Sequence, residues 1–176
     1  MDVSRDLDIA IHGDLKRVDF DLRCFDVIYC CHVLEHVTNV QEVLFNFKKW
    51  IKAGEIIILR FPDRNSAFGF LTRKLPFWIH VIRSRLTGNP NAGKPGYGPY
   101  PTVYDPILCR EGIHEFCRTE GLKILHEYGT RTKITRTNLA YVLTTLEFRI
   151  LWVVSQLSAR RLAHRHSGLI YLIERT

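Results

Sequence analysis

Five residues in the first third of the chain, His32-Val33-Leu34-Glu35-His36, have the types and spacing to do chemistry. Two histidines four apart on a helix can share one metal ion, with the intervening glutamate as general base; H-x-x-E-H is the inverted zinc-peptidase pattern. That reading asks for more than the single helical turn available here and for a third ligand on a downstream acidic helix, which the sequence does not offer. No metal is therefore expected, and His36 is expected to tie a short helix to its neighbours. His32, directly after the apolar run Phe25-Asp26-Val27-Ile28-Tyr29-Cys30-Cys31, can instead serve alone as a general base at a strand end. Cys30 and Cys31 point to opposite faces of such a strand, which suits small buried hydrophobes better than a redox pair.

The elements that must hold these residues follow from periodicity. Ile9-Ala10-Ile11-His12-Gly13-Asp14 predicts a short strand ending in a turn, and Phe25–Cys31 a parallel strand covered on both faces. Val40, Val43, Leu44, Phe47 and Ile51 share one face of a helix. Asn39 with Glu42, or Thr38 with Gln41, would form its capping box, and Ala53-Gly54 would end it. Glu55-Ile56-Ile57-Ile58-Leu59-Arg60-Phe61 is then a buried strand stopped by Pro62. Strand, helix and strand joined by short turns make a βαβ unit, hence a parallel sheet with a right-handed crossover. Ligands of such sheets lie at the carboxyl ends of the strands, here Gly13-Asp14, Cys30-Cys31-His32 and Pro62-Asp63-Arg64.

Beyond Asn65 the pattern loosens. Ala67 to Leu86 predicts helix on either side of Pro76. Phe68, Phe70, Phe77 and Trp78 interleave with Arg73, Lys74, Arg83 and Arg85, as in a cap over the sheet edge or an interfacial segment. Gly88 to Pro106 is a Gly/Pro/Tyr-rich connection whose length suits a lid; Tyr97, Tyr100 and Tyr104 would cover a substrate or pack the loop onto the core. A helix near Glu111–Glu120 capped by Gly121, a strand Leu122–Tyr128, a long helix from Asn138 to about His164 and a strand Leu169–Glu174 complete the chain. Glu147, Arg149 and Gln156 interrupt the long helix, which is expected to lie against the lid, a membrane or a second subunit rather than span a bilayer.

Composition sets bounds. The chain has 176 residues, 46% apolar and 24% charged, one domain's worth. Its five cysteines are an odd number without framework spacing, and Met1-Asp2-Val3-Ser4-Arg5-Asp6 does not read as a signal peptide. A cytoplasmic protein with reduced thiols is expected. The formal charge of +7 is uneven, −2 over residues 1–64 and +9 over 65–176. With no dense basic run, the expected reading is solvated helix faces; nucleic acid is not the expected partner, and peripheral contact with a membrane is the alternative.

Taken in order, Gly13-Asp14-Leu15, residues 25–37 (FDVIYCCHVLEHV) and residues 50–62 (WIKAGEIIILRFP) resemble the class I S-adenosylmethionine-dependent methyltransferases of the type 11 group. Lys52-Ala53-Gly54-Glu55 departs from the family's KPGG. The resemblance implies a Rossmann-like α/β fold with a mostly parallel sheet, strand order 3-2-1-4-5-7-6, and S-adenosylmethionine as cofactor. It implies that Asp14 accepts from the adenine amino group, that the Leu15 N–H faces the ring, and that Cys30, Cys31 and His32 line the methionine end. Asp2 falls where the ribose-binding acid would lie. Substrate-side residues would be Asp63, Arg64, Tyr97, Tyr100 and Tyr104, with His32 as base. The acceptor implied is a small molecule or a lipid-linked group.

The family's strand 1 carries a G-x-G-x-G turn, and this sequence has none; Gly96-Tyr97-Gly98 lies in the Pro-rich connection. The expectation is a single partial methyltransferase domain over 1–176, lacking strand 1 and its glycine-rich loop. It would carry a lid-like insertion at about 65–108 and a helical one at about 138–165. Such a chain is expected to begin at the end of strand 2, as a fragment or a mis-started frame, and to bind the cofactor poorly alone. A non-catalytic methyltransferase-like remnant or accessory module is the alternative function, and an H-x-x-E-H zinc peptidase a distant one.

Overall fold

The computed structural model describes residues 8–86, 88–131 and 138–176. Its elements run β1 (Phe25–Cys31), a 3-10 turn (Leu34–His36), α1 (Val40–Trp50), β2 (Ile51–Pro62), α2 (Ala67–Lys74), α3 (Phe77–Leu86), α4 (Arg110–Glu120), β3 (Leu122–Thr130), α5 (Asn138–Leu157) and β4 (Gly168–Arg175). They form one four-stranded sheet in the order β1-β2-β4-β3. β1 pairs with β2 in parallel, Cys30 opposite Leu59 and Cys31 opposite Arg60. β4 lies antiparallel to both β2 and β3, so three strands share a direction and only β4 is reversed. The expected α/β architecture is present as a mixed sheet, with one parallel pairing, β1 with β2, and two antiparallel ones made by β4.

Alternation decides the core. Ile57, Leu59 and Phe61 of β2 and Leu169, Tyr171 and Ile173 of β4 are buried on one face. There they join Val40, Val43, Leu44, Phe47 and Trp50 of α1 and Ile113, Phe116 and Cys117 of α4 in a single cluster. Phe45 meets Phe116 edge-on with ring centroids 5.6 Å apart, which fixes α1 beside α4. The opposite face is not covered in the same way: Val27 is 55% and Tyr29 65% exposed. On these exposures the expectation of cover on both faces of β1 fails.

Three boundaries depart from their local signals. Ile9–Ile11 forms no strand, with Ile9 78% and Ile11 59% exposed; an apolar triplet without a neighbouring strand gains no ladder. α1 ends at Trp50 rather than Gly54. Gly54, at φ +80°, sits in a bulge of β2, where the register jumps from Phe25–Ile51 to Val27–Ile56. Asn39 adopts a left-handed φ of 57° and does not cap α1 through its side chain; it reaches Glu42 Oε2 at 3.1 Å. The first amide of α1, on Val40, donates instead to Asp105 Oδ2 at 3.3 Å.

The long helix also stops early, at Leu157, where Ala159 and Arg160 take positive φ. Just past the carboxyl end of β2, Ser66 caps α2, its Oγ accepting from the Gly69 N–H at 2.9 Å. Gly69 is required there: a Cβ would stand 2.2 Å from the Asp63 carbonyl oxygen.

Candidate active site

The carboxyl ends of β1 and β2 lie side by side. The His32 N–H donates to the Arg60 carbonyl at 2.9 Å, carrying the ladder one residue past β1. His32 then takes a φ of 55°, which turns the chain into the 3-10 turn. This strained turn brings its Nδ1 to 3.0 Å from Glu35 Oε1. The His32 side chain is half-exposed and that of Glu35 is buried. A proton on Nδ1 donates to the carboxylate, which leaves the Nε2 lone pair as the ring's base. Glu35 Oε2 is buried without a hydrogen-bond partner.

The same 3-10 turn anchors the Pro-rich connection. The Glu35 carbonyl accepts from the Val103 N–H at 2.8 Å. His36 Nδ1 lies 2.7 Å from the Pro101 carbonyl oxygen, and its ring meets Tyr100 edge-on at 6.1 Å. His36 thus ties the turn to its neighbours. Among the described residues no three His, Cys, Asp or Glu side chains cluster as a metal site.

Beyond this wall lies a cavity of about 780 Å³ between α2, α3, α5 and residues 98–104. Phe68, Leu71, Leu75, Ile79, Leu146 and Ile150 give it an apolar lining, and Tyr100 and Tyr104 are part of it. Tyr97 is half-exposed and outside that lining. Burial pushes the Tyr104 phenol up, so it stays neutral; its oxygen lies 3.1 Å from Thr72 Oγ1. Within the lining, Arg83 makes a bidentate pair with Glu147, 2.8 and 3.0 Å from Nη2 to the two carboxylate oxygens.

The other predicted residues have separate settings. Asp14 Oδ1 accepts from the Lys16 N–H at 3.0 Å, capping a turn, and Lys16 Nζ reaches Thr38 Oγ1 at 3.4 Å, which tethers that turn near the 3-10 segment. Leu15 packs partly against the core. Cys30 is buried, and burial pushes its thiol up to about 12, while Cys31 is half-buried. Asp63 is buried, its Oδ2 2.9 Å from His166 Nε2 and its Oδ1 accepting from the Asn65 N–H. The Arg64 N–H donates to the Leu108 carbonyl. Asp14, Leu15, Cys30, Cys31, His32, Asp63 and Arg64 are not in the cavity lining, and Asp2 lies outside the described residues.

Sequence reasoning singled out His32 but missed the contact of its ring with Glu35, although the spacing of three was visible. It missed the Arg83–Glu147 pair for a different reason: 64 residues separate the partners.

Residues 3–59 match the family model of a methyltransferase domain. The lovastatin diketide synthase mokB of Monascus pilosus is 35% identical over 71 residues, 40% of this chain and 3% of that protein. Among solved structures, a chain of the complex between the Haloferax volcanii Trm112 methyltransferase activator and a methyltransferase is 11% identical. It superposes at a TM-score of 0.51 over 92% of this chain and 58% of its own. A loganic acid methyltransferase solved with SAH is 9% identical, with a TM-score of 0.50 over 93% of this chain and 65% of its own. At these identities the likeness is one of fold. The fold is that of the class I methyltransferases.

Within the methyltransferase order 3-2-1-4-5-7-6, the strands β1-β2-β4-β3 reproduce the run 4-5-7-6, with the reversed strand in third place. The outer edge of β1 is then where the methyltransferase strand 1 pairs. The chain spans less than two thirds of the relatives it matches, 3% of the synthase and 58% and 65% of the solved chains. An adenosyl cofactor fits these residues on one side only. On that side stands an exposed acceptor, Asp14, whose side chain is 44% exposed at a tethered turn with Oδ2 3.8 Å from Arg17 Nε. No described residues supply the glycine-rich turn that would meet the methionine end.

Proposed function

We propose that this chain provides the acceptor-facing and adenine-facing part of an S-adenosylmethionine-dependent methyltransferase, acting on a small-molecule or lipid-linked acceptor. The single observation that carries the reading is the strand order β1-β2-β4-β3 with β4 reversed, in a chain whose residues 3–59 match a methyltransferase domain. His32, oriented by Glu35, would take the acceptor's proton, and most of the rate would come from holding acceptor and methyl donor in line. The insertions at about 65–108 and 138–165 would act as the lid over the acceptor.

Cofactor affinity of this chain by itself is expected to be poor. Among the described residues the outer edge of β1 has no ladder partner, on the side where the methionine end would rest. Calorimetric titration with S-adenosylmethionine tests this: no saturation below millimolar concentration is expected, and a micromolar Kd overturns the impairment.

The open edge also favours a second reading, a methyltransferase-like accessory module without turnover. Radiolabelled methyl transfer at millimolar S-adenosylmethionine separates the two. Transfer that falls when His32 is replaced supports the enzyme, and its absence supports the module.

A further inference from the structure

We propose that the cavity between α2, α3 and α5 is the binding site of a neutral, predominantly apolar molecule. Its identity as the methyl acceptor rests on the methyl-transfer reading; its existence as an apolar binding site does not.

Three observations carry the proposal. The first is size: about 780 Å³ lies within the range of ~300–1,000 Å³ typical of small-molecule sites. The second is charge. The cation and the anion in the lining, Arg83 and Glu147, are engaged with each other in a fork-to-fork pair. A charged ligand would have to break that pair or stay unpaired in an apolar wall, and both are costly. Two uncharged polar groups of the lining are tied inward as well: His80 Nε2 donates to the Thr72 carbonyl at 3.1 Å, and Asn89 Nδ2 donates to Gly98 O at 3.2 Å. The hydroxyl pair of Tyr104 and Thr72 offers a partner to one polar end of the ligand.

The third is the mouth. Leu75, Ile82, Leu86, Leu146 and Ile150 line the cavity and are still 38–54% exposed. An apolar rim beside an apolar cavity is completed by a ligand that covers both. The backbone that carries this polar end is anchored to the 3-10 turn, the Val103 and Tyr104 amides donating to the Glu35 carbonyl.

The test titrates the whole chain with the neutral fluorophore N-phenyl-1-naphthylamine. Saturable one-to-one uptake is expected. Affinity should fall at least about tenfold in Ile150→Glu and in Leu75→Glu. Both side chains reach solvent, so the charge does not force unfolding, and circular dichroism verifies the fold. Trp152→Glu, on the same helix and outside the lining, should bind as the parent does. 1-Dodecanol should displace the probe at least about tenfold more tightly than dodecanoate. Phosphatidylcholine vesicles identify the source: probe uptake without vesicle binding means a dissolved molecule, and uptake with vesicle binding means a lipid-borne one.

Absence of saturation, equal loss in Trp152→Glu, or equal competition by dodecanoate would overturn the proposal. Intact probe binding in a chain that never transfers methyl leaves the site standing and removes only its assignment to the acceptor.

Discussion

His32 Nδ1 and Glu35 Oε1 stand 3.0 Å apart across one tight turn, with the histidine half-exposed and the carboxylate buried. In the neutral ring such a pair puts the proton on Nδ1 and leaves the lone pair on Nε2.

If His32 is that base, His32→Ala lowers methyl transfer by about 10²-fold or more at saturating cofactor. Glu35→Gln keeps the shape and removes the charge, so it should lower turnover less than the loss of the ring. Stopped-assay kinetics on the three proteins give the comparison; unchanged turnover in His32→Ala eliminates the residue.

The Asp63–His166 pair joins the end of β2 to the start of β4 from 103 residues apart, at 2.9 Å and with both side chains largely buried. Removing one partner strands the other. Asp63→Ala should cost about 3 kcal/mol of unfolding free energy, read from urea melts. A loss under about 0.5 kcal/mol would show that the pair contributes nothing net.

Burial holds the Cys30 thiol neutral, its pKa pushed up to about 12 from an ordinary 9.0. The native state therefore keeps a proton that the unfolded chain releases. Stability from this group is full below pH 9 and declines as pH rises from there toward 12. Urea melts between pH 8 and pH 11 should show a downward slope that is shallower in Cys30→Ala. At pH 8, Cys30 should resist a thiol reagent in the native protein and react after unfolding.

The uncovered sheet face predicts an asymmetry between paired strands. Leu59→Ala, at a side chain with 0% exposure, should cost about 2–5 kcal/mol. Val27→Ala, at 55% exposure, should change stability by about 0.5 kcal/mol or less. Equal losses would mean that the β1 face is covered in solution.

The sequence by itself determined whatever depends on neighbours within a few residues. The apolar faces of α1 and α4, the helix break at Pro76 and strands β2, β3 and β4 follow from spacing, because i, i+2 and i, i+4 geometry is built into the backbone. The strand–helix–strand pattern with short turns foretold the parallel pairing of β1 with β2. Tertiary structure decided everything that needs a distant partner. Ile9–Ile11 has strand composition but no strand beside it. Gly54 carries a helix-ending signal, and the pairing of β1 turns it into a bulge. Asn39 was the local cap candidate, yet Asp105 reaches the helix start from 65 residues away. The apolar cavity is a property of three helices and a connection meeting in space, and no periodicity along one chain segment encodes that meeting.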